Sequence, residues 1–222
     1  MVIIIIIFTT ISLLLFLLFF ILFLLLKIQK VRKSKKENRE NLEGSFLLLK
    51  KWSEKNNFIF IPKNLFKTQD GNLFFQDSIL ITNKFLLLIK FVNENSSIKG
   101  DVDAFYWDTG KKYEDKMRNP LFLTEKNISY VQQIIDKKIP LISALVFSKK
   151  VEDINITNNS YKHLVFIKEN EIINSIEQLQ QNLQLQVKTQ NEILEFKKLL
   201  EKRITTKQQD FVFWNIFLTK NE

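Results

Sequence analysis

The sequence LFFQDSILITNKFLLLIKFVN, residues 73–93, is the most strongly patterned stretch of the chain. Two apolar runs, Leu73 to Thr82 and Phe85 to Asn93, stand on either side of the polar pair Asn83-Lys84. Apolar runs of strand length that are separated by two polar residues are typical of a β-hairpin. We therefore expect two long antiparallel strands here, with the neighbouring segments of the chain packed around them.

The hairpin register brings two charged residues face to face. With Asn83-Lys84 as the turn, Asp77 lies opposite Lys90, and opposed residues have Cβ atoms about 5 Å apart. Alternation along the first strand also puts Phe75, Asp77 and Ile79 on one face, so the acid interrupts an apolar row. A buried charge without a partner is costly. The sequence thus predicts an Asp77–Lys90 ion pair, which is either purely structural or the remnant of an active site.

Hydrophobic periodicity predicts further strands and helices on both sides of the hairpin. The predicted strands cover residues 58–61, 97–100, 104–107, 141–148 and 163–167, and the predicted helices cover residues 42–55, 122–138, 169–185, 187–202 and 211–218. Strands early in the chain, followed by helix, strand, strand and helices, indicate an α/β domain whose mixed β-sheet is flanked by helices. The chain has no cysteine, which excludes disulfides and thiolate metal sites.

The N-terminal segment has a different character. Residues Val2 to Leu26 are apolar apart from two threonines and one serine. As a helix they would span roughly 37 Å, which exceeds the ~30 Å hydrocarbon core of a bilayer. A cleaved signal peptide would need a basic start and a small-residue cleavage site, and this segment has neither. We therefore expect one uncleaved transmembrane helix over residues 1–26.

Basic residues without any acid among them follow this segment: Lys27, Lys30, Arg32, Lys33, Lys35 and Lys36. Residues 27–40 are expected to form a juxtamembrane linker. By the positive-inside rule, the basic residues place this linker and the following domain in the cytoplasm, with the N-terminus outside. They are also expected to contact anionic headgroups at the cell membrane. The six residues account for most of the net charge of +9, since 27 basic residues then face 24 acids. The folded part is thus too weakly basic to predict nucleic-acid binding from charge alone.

A series of short motifs runs through the predicted domain. In order, the chain carries Phe75-Gln76-Asp77-Ser78, the strand Phe85 to Asn93, Ile98-Lys99-Gly100, Trp107, Asn119-Pro120-Leu121 and Leu145-Val146-Phe147-Ser148. Their order and spacing resemble the NERD domain, the nuclease-related domain of the PD-(D/E)XK nuclease superfamily, over residues 41–204. The resemblance implies a restriction-endonuclease-like fold, with residues 205–222 as a C-terminal helical extension. It also implies a magnesium-dependent nuclease site that includes Asp77.

The chain departs from the family pattern at most of the nuclease positions. Lys90 stands where the family has the Glu of its Glu-X-Lys motif, and Val92 stands where it has the Lys. Other family positions are also changed, with Gly44-Ser45 in place of Gly-Glu, Leu123 in place of Gln and Asn127 in place of His. Such nucleases hold Mg²⁺ through two or more carboxylate oxygens. Asp77 beside an ammonium is therefore expected to bind no metal or cofactor, and Lys90 is expected to replace the metal.

Three functions remain open. The first is a membrane-anchored, catalytically inactive NERD-like domain, a pseudoenzyme that acts as a binding or scaffold module at the cytoplasmic membrane face, with nucleic acid or another membrane protein as partner. The alternative is an active membrane-tethered endonuclease that cuts DNA with Mg²⁺ held by Asp77 and a displaced ligand such as Glu43 or Glu94. The third is a structural membrane protein with no role in nucleic-acid chemistry.

Overall fold

The computed structural model describes residues 19–29, 43–94, 96–110, 116–135 and 139–221. The chain divides into two compact units, residues 1–44 and residues 45–222. The second unit contains the predicted hairpin and carries the sheets and the core.

The first unit contains a helical stretch over residues 19–29, whose large apolar side chains are exposed. Within the part of the chain that the structure describes, no helix is both long enough and apolar enough to cross a membrane. Residues 1–18 of the predicted transmembrane helix and residues 30–40 of the predicted linker lie outside the described residues. Lys27 is described and is exposed within the helix, whereas Lys30, Arg32, Lys33, Lys35 and Lys36 also lie outside.

The strands and helices follow in this order along the rest of the chain. The strands are β1 (Ile59–Ile61), β2 (Asn64–Lys67), β3 (Leu73–Gln76), β4 (Ser78–Ile81), β5 (Leu86–Val92), β6 (Ile98–Asp101), β7 (Tyr106–Asp108), β8 (Lys116–Arg118), β9 (Leu141–Phe147), β10 (Ile154–Thr157) and β11 (Leu164–Lys168). The helices are α1 (43–55), α2 (Leu121–Ile135), α3 (Ile172–Asn182), α4 (Gln190–Glu201) and α5 (Gln208–Asn221). The predicted mixture of strands and helices is therefore confirmed.

The strands form mixed sheets. The central five-stranded sheet has the order β1-β4-β5-β9-β11, in which β1, β4 and β5 are antiparallel neighbours and β5, β9 and β11 are parallel neighbours. A four-stranded sheet has the order β10-β6-β7-β8, and β2 pairs with β3 in a separate antiparallel ribbon. We predicted one mixed sheet, and the structure instead distributes the strands among three.

Helices cover both faces of the central sheet. On one face, side chains of β5 such as Leu88 share a core cluster with Val131 of α2 and Phe196 of α4. On the other face, Ile89 of β5 shares a cluster with Leu49 of α1, together with residues of α3. The parallel strand β9 is buried along its whole length, because it lies between two helical layers. This burial explains its unbroken apolar sequence.

The predicted hairpin has the predicted register but not the predicted length. Leu80 pairs with Leu87, and Ser78 pairs with Ile89, as a two-residue turn requires. The first strand, however, breaks at Asp77 into β3 and β4, which belong to different sheets. The break also shifts the side-chain alternation, so that Phe74, rather than Phe75, joins the core cluster that contains Ile79. The expectation of one uninterrupted strand from 73 to 82 was wrong.

Several other boundaries also differ from the predictions. The predicted helix 187–202 begins only at Gln190, because the Thr189 hydroxyl accepts from the Glu192 amide and the Glu192 carboxylate accepts from the Thr189 amide. The predicted helix 169–185 starts as a 3₁₀ turn and ends at Asn182. The strands β2, β8 and β10 were not predicted, since three or four residues carry too little periodicity to be recognised.

Candidate functional site

The break between β3 and β4 places an ion pair at the edge of the two strands. Lys90 Nζ lies 3.2 Å from Asp77 Oδ2, with 11% of the aspartate side chain exposed and 33% of the lysine side chain exposed. The same carboxylate oxygen accepts a hydrogen bond of 3.0 Å from the Phe91 amide. Asp77 is thus held by one cation and one neutral donor. Lys90 is only partly buried, which corrects the expectation of two buried charges.

A polar network fixes the backbone beside this ion pair. The Gln76 side-chain amide donates to the carbonyl oxygen of Ile89 at 2.7 Å, so it continues the hydrogen bonding between strands past the break. Asn127 of α2 donates to the Gln76 side-chain oxygen at 3.0 Å and to the Phe75 carbonyl oxygen at 2.9 Å. Because Gln76 and Asn127 are both buried, these hydrogen bonds hold the irregular segment in one conformation.

The donor set around Asp77 does not fit a divalent cation. Mg²⁺ prefers several oxygen ligands, of which at least one or two are carboxylates. At the position where the resemblance implies a second carboxylate, the chain presents the ammonium group of Lys90 next to Asp77. Among the described residues, no group of three or more Asp, Glu, His or Cys side chains is arranged to hold a metal ion. The ammonium group of Lys90 compensates the charge of the Asp77 carboxylate, and this donor set differs from the oxygen ligands that Mg²⁺ prefers.

The acids considered as displaced ligands do not change this conclusion. Glu94 follows β5 and is half-buried, and burial raises the pKa of its carboxyl above the ordinary value. A carboxyl that holds its proton more tightly is a weaker metal ligand at a given pH. The side chain of Glu43 is exposed. Neither acid belongs to a metal-binding group within the described part of the chain.

A buried acid that has no clear signal in the sequence, Glu169, lies directly after β11. Glu169 accepts a hydrogen bond of 2.5 Å from the hydroxyl of Ser45, the residue that stands at the changed Gly-Glu position. Its other carboxylate oxygen accepts from the Lys149 amide at 3.2 Å. Glu169 therefore joins α1 to the loop after β9. The only local signal was an acid directly after an apolar strand, which is also typical of an exposed turn.

A cavity of about 470 Å³ opens between α2, α5 and the start of β3. Its walls include the aromatic rings of Tyr130, Trp214 and Phe217, and Lys126 lies at its border. Leu123 and Asn127, where the resemblance implies Gln and His, also line it. The volume is within the range of small-molecule sites. The cavity thus adjoins the candidate site through Asn127.

An ion pair between Lys67 of β2 and Asp210 of α5 connects the two elements. Lys67 Nζ lies 2.8 Å from the Asp210 carboxylate, which also accepts from the Thr205 hydroxyl at 2.5 Å. Hydrogen bonds from Lys67 and Thr205 hold the pKa of Asp210 below its ordinary value. The start of α5 is therefore fixed by a buried, ionised acid.

The chemistry of the candidate site is that of a neutralised carboxylate in a rigid polar network. Asp77 and Lys90 come together through the hairpin register, and Gln76 and Asn127 complete the network. The quoted sequence motifs remain the basis of the NERD resemblance. No family model, curated protein or solved structure matches this chain.

Proposed function

We propose that the chain is a membrane-anchored, NERD-like domain without nuclease activity, which acts as a binding or scaffold module at the cytoplasmic face of the cell membrane. Its partner is nucleic acid or another membrane protein. The observation that carries the proposal is the contact of 3.2 Å between Lys90 Nζ and Asp77 Oδ2. The lysine stands where a nuclease of the resembled family has a metal-binding glutamate.

The charge of Lys90 opposes a metal ion at Asp77. Two unit charges 4 Å apart interact by about 4 kcal/mol at an effective dielectric constant of 20. The ammonium group of Lys90 would repel a divalent ion near Asp77 by about 4 kcal/mol for each of the ion's two charges. The carboxylate of Asp77 alone would attract the ion. The ammonium group also satisfies the carboxylate without a metal. The site is therefore suited to stability or binding rather than to hydrolysis.

The N-terminal sequence supports the membrane assignment. Residues 2–26 are apolar apart from three hydroxyl side chains, and a purely basic segment follows. The described helical stretch 19–29 exposes apolar side chains from Phe19 to Ile28, which are 42–74% exposed. A helix with an apolar surface all round requires an apolar environment. The bilayer supplies one, and the basic residues orient the domain toward the cytoplasm.

Nuclease assays on the purified full-length protein test the proposal. We expect no Mg²⁺-dependent cleavage of DNA by the wild-type chain. The double substitution Lys90→Glu with Val92→Lys recreates the family's Glu-X-Lys pattern, and we expect it to increase Mg²⁺ affinity in calorimetric titrations. Cleavage by the wild-type chain that Asp77→Ala abolishes would establish the alternative, an active membrane-tethered nuclease.

The partner class is tested with the full chain in nanodiscs. Binding of DNA with an affinity that falls steeply as salt concentration rises would identify nucleic acid as the partner, since phosphate contacts release counterions. No DNA binding at low salt would leave another membrane protein as the partner. This measurement is independent of the cleavage assay, because binding needs no metal.

A further inference from the structure

The cavity beside α5 is lined by one face of that helix. The side chains that α5 contributes stand at positions i, i+3, i+4 and i+7, and they are Asp210, Phe213, Trp214 and Phe217. Residues with this spacing lie on the same side of a helix. The rings of Trp214 and Phe217 stack with centroids 5.3 Å apart. One side of α5 therefore borders a volume of about 470 Å³ mainly with aromatic rings.

Helix α2 lines the same cavity with the same spacing. Its contributions at positions i, i+3, i+4 and i+7 are Leu123, Lys126, Asn127 and Tyr130. Lys126 Nζ lies 5.6 Å from the ring centroid of Tyr130 and 5.7 Å from that of Phe217 on α5. The lysine is thus close to rings of both helices. A cation at this position is next to the aromatic surface of the cavity.

The charges that line the cavity leave an excess of one positive charge. The charged lining residues are Lys67, Lys126 and Asp210, so two lysines face one acid. Lys67 Nζ is paired with the Asp210 carboxylate at 2.8 Å, and these two charges compensate each other. Within the part of the chain that the structure describes, Lys126 forms no ion pair with an acid. The excess charge therefore belongs to Lys126.

Asn127 adds a hydrogen-bond acceptor to the cavity wall. Only 7% of this residue is exposed, and its side-chain nitrogen donates to the Phe75 carbonyl oxygen at 2.9 Å and to the Gln76 side-chain oxygen at 3.0 Å. Among the described residues, no donor bonds to the side-chain oxygen of Asn127. Convergent polar groups in an aromatic cavity orient a ligand. The free oxygen can accept from an N–H group of a bound molecule.

We propose that this cavity binds a planar aromatic carboxylate that carries a ring N–H. The rings of Tyr130, Trp214 and Phe217 contact its flat apolar body, and the Lys126 ammonium group pairs with its carboxylate. The side-chain oxygen of Asn127 accepts from the N–H. A carboxylate matches the excess charge of one, whereas a phosphate monoester carries about −1.5 to −2 at pH 7. The site depends neither on the membrane anchor nor on nuclease ancestry.

Calorimetric titration of the full-length protein in phosphatidylcholine nanodiscs tests the site, with empty nanodiscs as the blank. The probes are indoleacetate, its uncharged analogue indoleacetamide, and benzothiopheneacetate, which has sulfur in place of the N–H. We expect indoleacetate to bind about fivefold more tightly than the amide, as for one partly exposed ion pair. It should also bind about fivefold more tightly than benzothiopheneacetate, because the sulfur cannot donate to Asn127.

A lysine substitution separates the charge of Lys126 from the shape of the cavity. Lys126→Met should weaken indoleacetate about fivefold and leave indoleacetamide unchanged. Lys63→Met is the matched control, because Lys63 is also exposed and lies 4.9 Å from a ring centroid, that of Phe75, without lining the cavity. It should change the affinity for neither probe.

Filling the cavity provides an independent test. Leu123 is only partly buried and lies outside the core clusters, so Leu123→Trp should fold with a Tm close to that of the wild type. The larger side chain should occupy the cavity and abolish the binding of every probe. Thermal unfolding by circular dichroism checks the fold of each variant.

Other outcomes overturn the proposal. No binding of indoleacetate at millimolar concentration, or equal affinity of the wild type for indoleacetate and its amide, would show that Lys126 selects no anion. Binding that survives Leu123→Trp in the folded variant would place the ligand elsewhere. Equal affinity for benzothiopheneacetate and indoleacetate would exclude Asn127 as the acceptor. Each of these results would leave the proposed anchor and the Asp77–Lys90 pair unaffected.

Discussion

Replacing Lys90 by methionine removes the ammonium group from Asp77 while it keeps a side chain of similar length. The Asp77 carboxylate would then retain the hydrogen bond from the Phe91 amide and would lose its only described cation contact. Because 11% of the Asp77 side chain is exposed, water can replace the lost cation only in part. We therefore expect Lys90→Met to destabilise the fold.

The magnitude follows from the intermediate burial of the pair. Exposed ion pairs contribute about 0.2–1 kcal/mol, whereas breaking a fully buried pair costs about 3–5 kcal/mol. At 3.2 Å the gross attraction between Lys90 and Asp77 is about 5 kcal/mol for an effective dielectric constant of 20. Ordering the lysine side chain opposes this by up to about 2 kcal/mol, and its partial desolvation costs more. We expect a net loss of about 2 kcal/mol.

The assay is thermal unfolding of the full-length protein in detergent, followed by tryptophan fluorescence. For a chain of this size, a loss of about 2 kcal/mol should lower the Tm by about 4–8 °C. Lys50→Met is the matched control, because Lys50 and Glu54 form an exposed pair at 4.0 Å with 61% and 63% of their side chains exposed. That substitution should change stability by less than about 0.5 kcal/mol.

A double-mutant cycle separates the pair from its surroundings. If Lys90 neutralises Asp77, adding Asp77→Asn to Lys90→Met should cost less than the sum of the two single changes, with a coupling of about 1–2 kcal/mol. A Tm for Lys90→Met equal to that of the wild type, with no coupling in the cycle, would contradict a stabilising contact between Lys90 and Asp77. The stability of the fold with an ionised Asp77 would then not depend on the Lys90 ammonium group.

Three further predictions concern the stability of individual elements. Thr189→Ala should lower the free energy of unfolding by about 1 kcal/mol in urea titrations, because it removes the N-cap of α4. Gly100→Ala should cost about 1–3 kcal/mol in the same assay, because its methyl group would overlap the buried ring of Trp107; Gly44→Ala, with open space around it, should cost nothing. Hydrogen bonds from a lysine and a threonine lower the pKa of Asp210 from its ordinary value of 3.8. The wild type should therefore be more stable than Asp210→Asn above pH 3.8, and this difference should shrink as the pH falls through the lower pKa of the folded state. Urea titrations at pH 7 and pH 3 would measure the change.

The hairpin register was predictable because it depends on neighbouring residues. Two apolar runs and a two-residue turn leave one alignment, in which Leu80 pairs with Leu87. The positions of β9 and α2 were predictable for the same reason, since long runs of one periodicity identify their element type. The position of Asp77 opposite Lys90 follows from that local alignment.

The break at Asp77 was not predictable, because distant groups replace the strand hydrogen bonds there. Gln76 reaches the Ile89 carbonyl oxygen, and Asn127, 51 residues along the chain from Gln76, fixes Gln76 from α2. The hydrogen bond between Ser45 and Glu169 spans 124 residues and left no pattern in either segment. Such contacts depend on how the helices close over the sheet.

The types of the longer elements, the hairpin register and the charge that faces Asp77 can be read from the sequence alone, because each depends on residues close together in the chain. The division of the strands among three sheets, the exposure of a third of the Lys90 side chain and the half-exposed positions of Val212 and Ile216 on α5 come from the tertiary fold. Periodicity shows that a helix is apolar, whereas the side that becomes buried depends on which surfaces the rest of the fold leaves available.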